Sequence, residues 1–113
     1  MAKFMFFHRG GGDCMPERSP EEMQQAMQAM GEWIRGGIDA GWLLDVGDGL
    51  KPEGAVVHAD DTVTDGPYAE SKELVGGYCI VEATDLDAAV ELAKAMPAGG
   101  DLEVRPLAGY SMD

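Results

Sequence analysis

"ELVGGYCIVEAT", Glu73 to Thr84, is the stretch on which the fold turns. Val75, Cys79, Val81 and Ala83 alternate with Tyr78, Ile80 and Glu82, the two-residue period of a strand, and both sets carry substantial side chains. A strand with two demanding faces belongs in the middle of a sheet. Directly after it, "DLDAAVELAKAMP" switches to helical spacing: Thr84 or Asp85 serves as cap, Leu86, Ala89, Val90, Ala93 and Met96 share the apolar side, and Pro97 marks the end. "DLEVRPLAG" then supplies a closing strand.

The N-terminal half repeats this order. "KFMFFHR", Lys3 to Arg9, is a short aromatic-rich strand that runs into the glycines of "RGGGD". "SPEEMQQAMQAMGEWIRGGIDAG" opens with Ser19 as N-cap, Pro20 at the first helical position and Glu22 three residues after the cap. Met23, Ala26, Met27, Met30, Trp33, Ile34 and Ile38 form one apolar stripe, expected to face the sheet, and Gly36, Gly37 and Gly41 weaken and then stop the helix. Trp42 to Leu50 reads as a second strand. Gly54 to Gly66 reads as an edge strand or a small hairpin turning near Asp60 and Asp61.

Strand, helix, strand, hairpin, strand, helix, strand describes two βαβ-type units in one antiparallel sheet: an α+β, ferredoxin-like domain over residues 1–113 with both helices on one face. The uncovered face would then carry Tyr78, Ile80, Glu103, Arg105 and Leu107, joined by either Phe4, Phe6 and His8 or Met5, Phe7 and Arg9. That mixture is too apolar to stay wet, so the expected partner is a second copy packed sheet against sheet, an isologous homodimer with cavities near its rim.

Composition narrows the function classes. Twenty-one acids against eight bases give a formal charge of −13 and no dense basic patch, which excludes nucleic acid as a partner. No apolar run nears the ~18 residues that cross a bilayer, and the N-terminal apolar segment is too brief for a secretory signal, so no membrane association and a cytoplasmic location are expected. Cys14 and Cys79 are far apart and without CxxC companions, as suits free thiols, Cys79 in the core and Cys14 in a loop without an activating base. "RGGGD" lacks the lysine and helix start of a phosphate loop. No cofactor is expected.

Several residues can carry chemistry, and each also has a structural reading. Asp65, Gly66 and Pro67 make a rigid turn, after which Tyr68, Glu70 and Lys72 are either solvated loop residues or a ligand-binding cluster. Glu103 and Arg105, one strand step apart, either pair with each other, with Glu82 or across a dimer, or Arg105 clamps an anionic group of a ligand. His8 ends the first strand and titrates near neutrality, as a packed imidazole or as a general base with Asp65 as orienting acid. His58 and Asp60 in "HADD" fall short of a metal-ligand set, so no metal is expected. Asp45 and Asp48 flank Gly47 and Gly49 in a glycine-rich turn.

"VTDGPYAESKELVGGYCIVEATDLDAAVELA", followed by "LEVRPL" and preceded by "AGWLLDVGDGLKP", resembles the DGPF branch of the YCII-related family, from the first strand to Leu107. Tyr68 stands where that branch usually has phenylalanine. The resemblance implies a dimeric α+β barrel, with Asp65, Tyr68, Glu70 and Lys72 at the barrel mouth. It also implies two functional readings. Related enzymes act on small ring compounds with a histidine and an aspartate, which points to a cleft for a small organic molecule with acid/base capacity. Other relatives are associated with sigma factors, which points to a non-catalytic ligand-sensing or protein-interaction module linked to transcription regulation.

Overall fold

The computed structural model describes residues 1–9, 19–51, 53–66, 75–97 and 100–109. Its elements follow the order β1 (Ala2–Arg9), α1 (Pro20–Ala40), β2 (Leu43–Gly49), β3 (Gly54–Val57), β4 (Val63–Gly66), β5 (Val75–Ala83), α2 (Leu86–Ala95) and β6 (Leu102–Pro106). The main sheet is antiparallel with strand order β2-β5-β1-β6, and β3 and β4 form a separate two-stranded sheet. Two interior strands flanked by the two that close each βαβ unit make the ferredoxin-like α+β arrangement.

Register explains which side is covered. Phe4 pairs with Val81, Phe6 with Cys79 and His8 with Gly77, and on the other side of β1 Phe6 pairs with Val104 and His8 with Leu102. Phe4, Phe6, Cys79 and Val81 are buried and join Leu43, Ala83, Ala89, Ala93 and Met96 in one core beneath the helices. Met5, Phe7 and Arg9 therefore belong to the opposite face with Tyr78, Ile80, Glu103 and Arg105, which settles the alternative that the sequence leaves open. These residues range from half-buried to exposed in the single chain.

The helix starts form as their caps dictate. Ser19 Oγ accepts the Glu22 N–H at 3.1 Å, and Asp85, not Thr84, caps α2 by accepting the Ala88 N–H at 2.8 Å. Gly41, at φ 87°, closes α1 in the left-handed conformation that glycine tolerates best. Gly36 and Gly37 lie inside the helix instead of ending it. At Gly37 a Cβ would sit 2.8 Å from Leu43 Cβ and from the Trp42 ring, so its bareness lets the helix meet the start of β2. The two helices are joined by Trp33 Nε1, which donates to the Leu92 carbonyl at 3.2 Å. Trp33 also packs on Phe6 and, edge-on, on Trp42, with ring centroids 6.4 Å and 5.0 Å away.

The apolar stripe of α1 is buried only in part. Met30, Trp33 and Ile34 pack on the core, but Met23, Met27 and Ile38 are exposed, Met27 to 70%. Twenty-one residues span about 31 Å, longer than the layer of core beneath them, so the first turns of α1 extend past it. On α2, Leu86 is exposed in the same way at the helix start.

Candidate functional site

β1 brings His8 to the helix-covered side at the end of the strand, and the backbone of β5 makes room for it. Gly77, its pairing partner, has no side chain, and the imidazole Cδ2 lies 3.5 Å from where a Cβ would stand. β2 crosses over this end of β5 at close range. Gly47, at φ 68°, approaches so tightly that a Cβ would overlap the Tyr78 carbonyl, and a Cβ at Gly77 would lie 3.1 Å from the Asp48 carbonyl oxygen. Asp45 Oδ1 accepts the Gly47 N–H and Asp48 Oδ1 accepts the Gly49 N–H, each at 2.8 Å, which fixes the path of β2 through this crossing.

Between this crossing and α1 lies a cavity of about 500 Å³. Its apolar wall includes Met30, Trp33, Ile34, Leu43 and Met96. The polar residues along it are His8, Arg9, Asp48, Tyr78 and Asp101, and Gly49, Gly76 and Gly100 leave the main chain bare around it. This is the usual make-up of a small-molecule cleft, mostly apolar with a few placed polar groups. A second, more open groove of about 580 Å³ runs between α2 and β6, lined by Leu86, Val90, Leu102 and Val104. Its Lys94 is already paired with Glu91 at 3.2 Å, and among the described residues no group that titrates near neutrality lines it.

Burial holds the His8 pKa below its ordinary value, so the imidazole is neutral at physiological pH and can accept a proton. Among the described residues none hydrogen-bonds the ring, so none of them makes it the oriented base of a catalytic pair. Cys79, also at the cavity, is buried; loss of hydration, with the charge of Asp45 added, pushes its thiol up to about 11, which makes it an inert wall residue.

The remaining sequence-predicted site residues lie elsewhere. Glu103 and Arg105 are on the uncovered face, because Phe7 pairs with Glu103 and Met5 with Arg105. Arg105 Nη1 reaches Glu103 Oε2 at 3.4 Å, but the stronger partner of Glu103 is Arg9, whose Nε and Nη2 both bond to Oε1. Arg9, Arg105 and the hydrogen bonds they donate hold the Glu103 carboxyl below its usual value, the Arg9 bond most of all. Asp65 is exposed on β4, paired with Ala55, and is not among the residues lining the cavity. Tyr68, Glu70 and Lys72 lie outside the described residues, as do Pro67, Cys14 and the glycines of "RGGGD".

His58 and Asp60 are absorbed by the hairpin between β3 and β4. His58 Nε2 and Thr64 Oγ1 are 2.9 Å apart, and Asp60 Oδ1 accepts both from the Thr62 N–H and from its hydroxyl. Asp61 takes φ 72° in the turn. Among the described residues no group of three or more His, Cys, Asp or Glu side chains is placed to hold a metal ion.

The model of the YCII-related domain matches residues 3–107, which spans β1 through the end of β6. The chain belongs to the YCII-related family. This YCII-related protein is also similar to an uncharacterised protein of Rhizobium meliloti, 34% identical over 100 residues that cover 81% of each chain. No described helix of the YCII-related protein is long and apolar enough to cross a membrane.

Reading along the chain missed most of the cavity. Trp33 and Met96 read as apolar helix faces, Leu43 as part of a strand and Asp48 with Gly47 as a turn; Arg9 falls on the open face only as one alternative, without its bond to Glu103. The available signal was the count of glycines at strand ends, Gly47, Gly49, Gly76 and Gly77, where bare backbone marks close approach or vacant space.

Proposed function

We propose that this protein binds a small organic molecule in the cleft between α1, β2 and the end of β5, and that it does so as a homodimer formed through the uncovered sheet faces. The observation that carries the reading is the neutral, half-buried His8 facing a 500 Å³ apolar cavity. A cavity of that size suits a ligand of one or two rings, and the imidazole supplies a single hydrogen-bonding and proton-accepting group. Binding without catalysis is favoured, because His8, Asp65 and Arg105 do not share this cavity and no acid among the described residues orients the imidazole. That suits a ligand-sensing module, in line with the regulatory associations of the DGPF branch, in which the "DGPY" of Asp65 to Tyr68 supports placing the chain.

Self-association is supported by the apolar groups left without cover. Met5, Phe7, Tyr78 and Ile80 on the uncovered face are only partly buried, and Val57 and Val63 of the hairpin are exposed.

The test is native mass spectrometry of protein purified without refolding, beside its His8→Leu variant. The expected result is a co-purified small molecule retained by the wild type and lost or strongly depleted in the variant. Equal retention by both, or retention only in protein altered at the uncovered face, removes the cleft as the binding site.

A further inference from the structure

We propose that the uncovered sheet face recognises a second copy of itself by charge, with the two-fold axis of the dimer running along the strands, so that Arg105 of each chain meets the partner's Asp45. This rests on the homodimer proposed above, and adds to it which residues meet.

The pairing registers lay the charges of this face out in rows. Asp45 pairs with Ile80, Ile80 with Met5 and Met5 with Arg105, so one row runs acid, apolar, apolar, base from β2 to β6. One step along, Glu82 of β5 pairs with Lys3 of β1. Residues paired in this way point to the same side of a sheet. Lys3, Arg9 and Arg105 thus put three of the chain's eight bases on the β1 and β6 half, while Asp45, Asp48 and Glu82 lie on the β2 and β5 half. A chain of formal charge −13 carries a face that is basic on one side and acidic on the other.

Two such faces stacked with their strands aligned can be related by a two-fold axis across the strands or along them. An axis across the strands lays β6 on β6 and β2 on β2, like charge against like, which is costly at an interface. An axis along the strands lays β6 on the partner's β2 and keeps each row at its own level. Arg105 then comes over the partner's Asp45, Lys3 over the partner's Glu82 and Met5 over the partner's Ile80. Phe7 meets the partner's Tyr78 in the next row, so the middle of the contact is apolar and the β2 and β6 charges lie at its rim. Asp48 comes toward the partner's Glu103, a carboxylate that already accepts from Arg9 and Arg105. The guanidinium of Arg105 is 67% exposed in the single chain, and Asp45 is held in place by the bond that its Oδ1 accepts from the Gly47 N–H.

The test is a double-mutant cycle on the dimer dissociation constant, measured by sedimentation equilibrium at low salt for the full chain, Asp45→Asn, Arg105→Gln and the two together. The asparagine carbonyl can still accept the Gly47 N–H. Each single change is expected to raise Kd by about threefold to tenfold, and the pair together by no more than either alone. In native mass spectrometry, a mixture of Asp45→Lys chains with Arg105→Glu chains should form the mixed dimer in preference to either pure one, because mixing restores opposite charges at both sites; circular dichroism verifies that each is folded, and if one is not, the cycle decides alone. Losses that simply add, or a dimer tightened by Arg105→Gln, as β6 on β6 would give, overturn the arrangement and leave the homodimer standing. A full chain that stays monomeric at micromolar concentration overturns both.

Discussion

Arg9 on β1 reaches diagonally over the uncovered face to Glu103 on β6, donating through Nε at 2.9 Å and through Nη2 to the same carboxylate oxygen. About a third of each side chain stays accessible, so the pair is only partly shielded from water. Because the Glu103 pKa is lowered on folding, its contribution to stability is present above the ordinary carboxyl pKa and is lost as pH falls through the folded value. Glu103→Gln should therefore lower the thermal midpoint at pH 7 and converge on the wild type as pH falls below the folded value. A difference that persists unchanged in acid would show that Glu103 acts by packing and not by charge.

Two adjacent glycines of α1 should respond to alanine with opposite signs. Nothing lies within 4 Å of a Cβ at Gly36, so Gly36→Ala should stabilise by about 0.5–1 kcal/mol through helix propensity. Gly37→Ala drives a methyl into Leu43 Cβ and the Trp42 ring and should cost about 1–3 kcal/mol. Urea unfolding of the two variants measures both, and equal effects would mean that α1 does not seat on β2 as described.

His8 sets a pH dependence of the same sign, in a higher pH range. With its pKa lowered in the folded protein, the unfolded chain takes up the proton first as pH drops below the ordinary value of 6.5. Stability should thus decline as pH falls through 6.5 toward the lowered folded value, and His8→Gln should flatten that part of the profile. Imidazole NMR titration of the native protein should place His8 below 6.5; a value above it would put the ring in water or beside an acid.

Sedimentation addresses the uncovered face. The 12.0 kDa chain should sediment as a dimer at micromolar concentration, and Phe7→Glu, which puts a charge in the middle of that face, should shift it toward monomer. A wild-type monomer at that concentration would leave the uncovered face of the sheet exposed to water and contradict the proposed assembly.

The fold was legible because each element carries its own punctuation. Ser19-Pro20, the alternation from Val75 to Ala83 and the spacing of Ala89 and Ala93 place two helices and the central strand without reference to anything distant. Where a side chain's fate depends on how far a neighbouring layer extends, the sequence was less informative. Met23 and Met27 share a stripe with Met30, yet only Met30 reaches the core.

The site was less legible for a related reason. His8 stood out by its chemistry, but its cavity arises where Gly47 and Gly77 let β2 and β5 cross closely, a relation between backbones 30 residues apart. Strand alternation places Arg105 opposite His8 as soon as the pairing of Met5 with Arg105 is known, and that register is not written in either strand alone.

The most direct test of the account is a map of amide and imidazole NMR shifts as a small two-ring molecule such as 2-naphthylmethanol is added to the native protein. The account predicts that the His8 ring, the Gly47 and Gly77 amides and the Trp33 indole N–H move together and saturably, while Asp65 and Arg105 stay still. Shifts confined to the uncovered face or the hairpin, or none up to millimolar ligand, would contradict it.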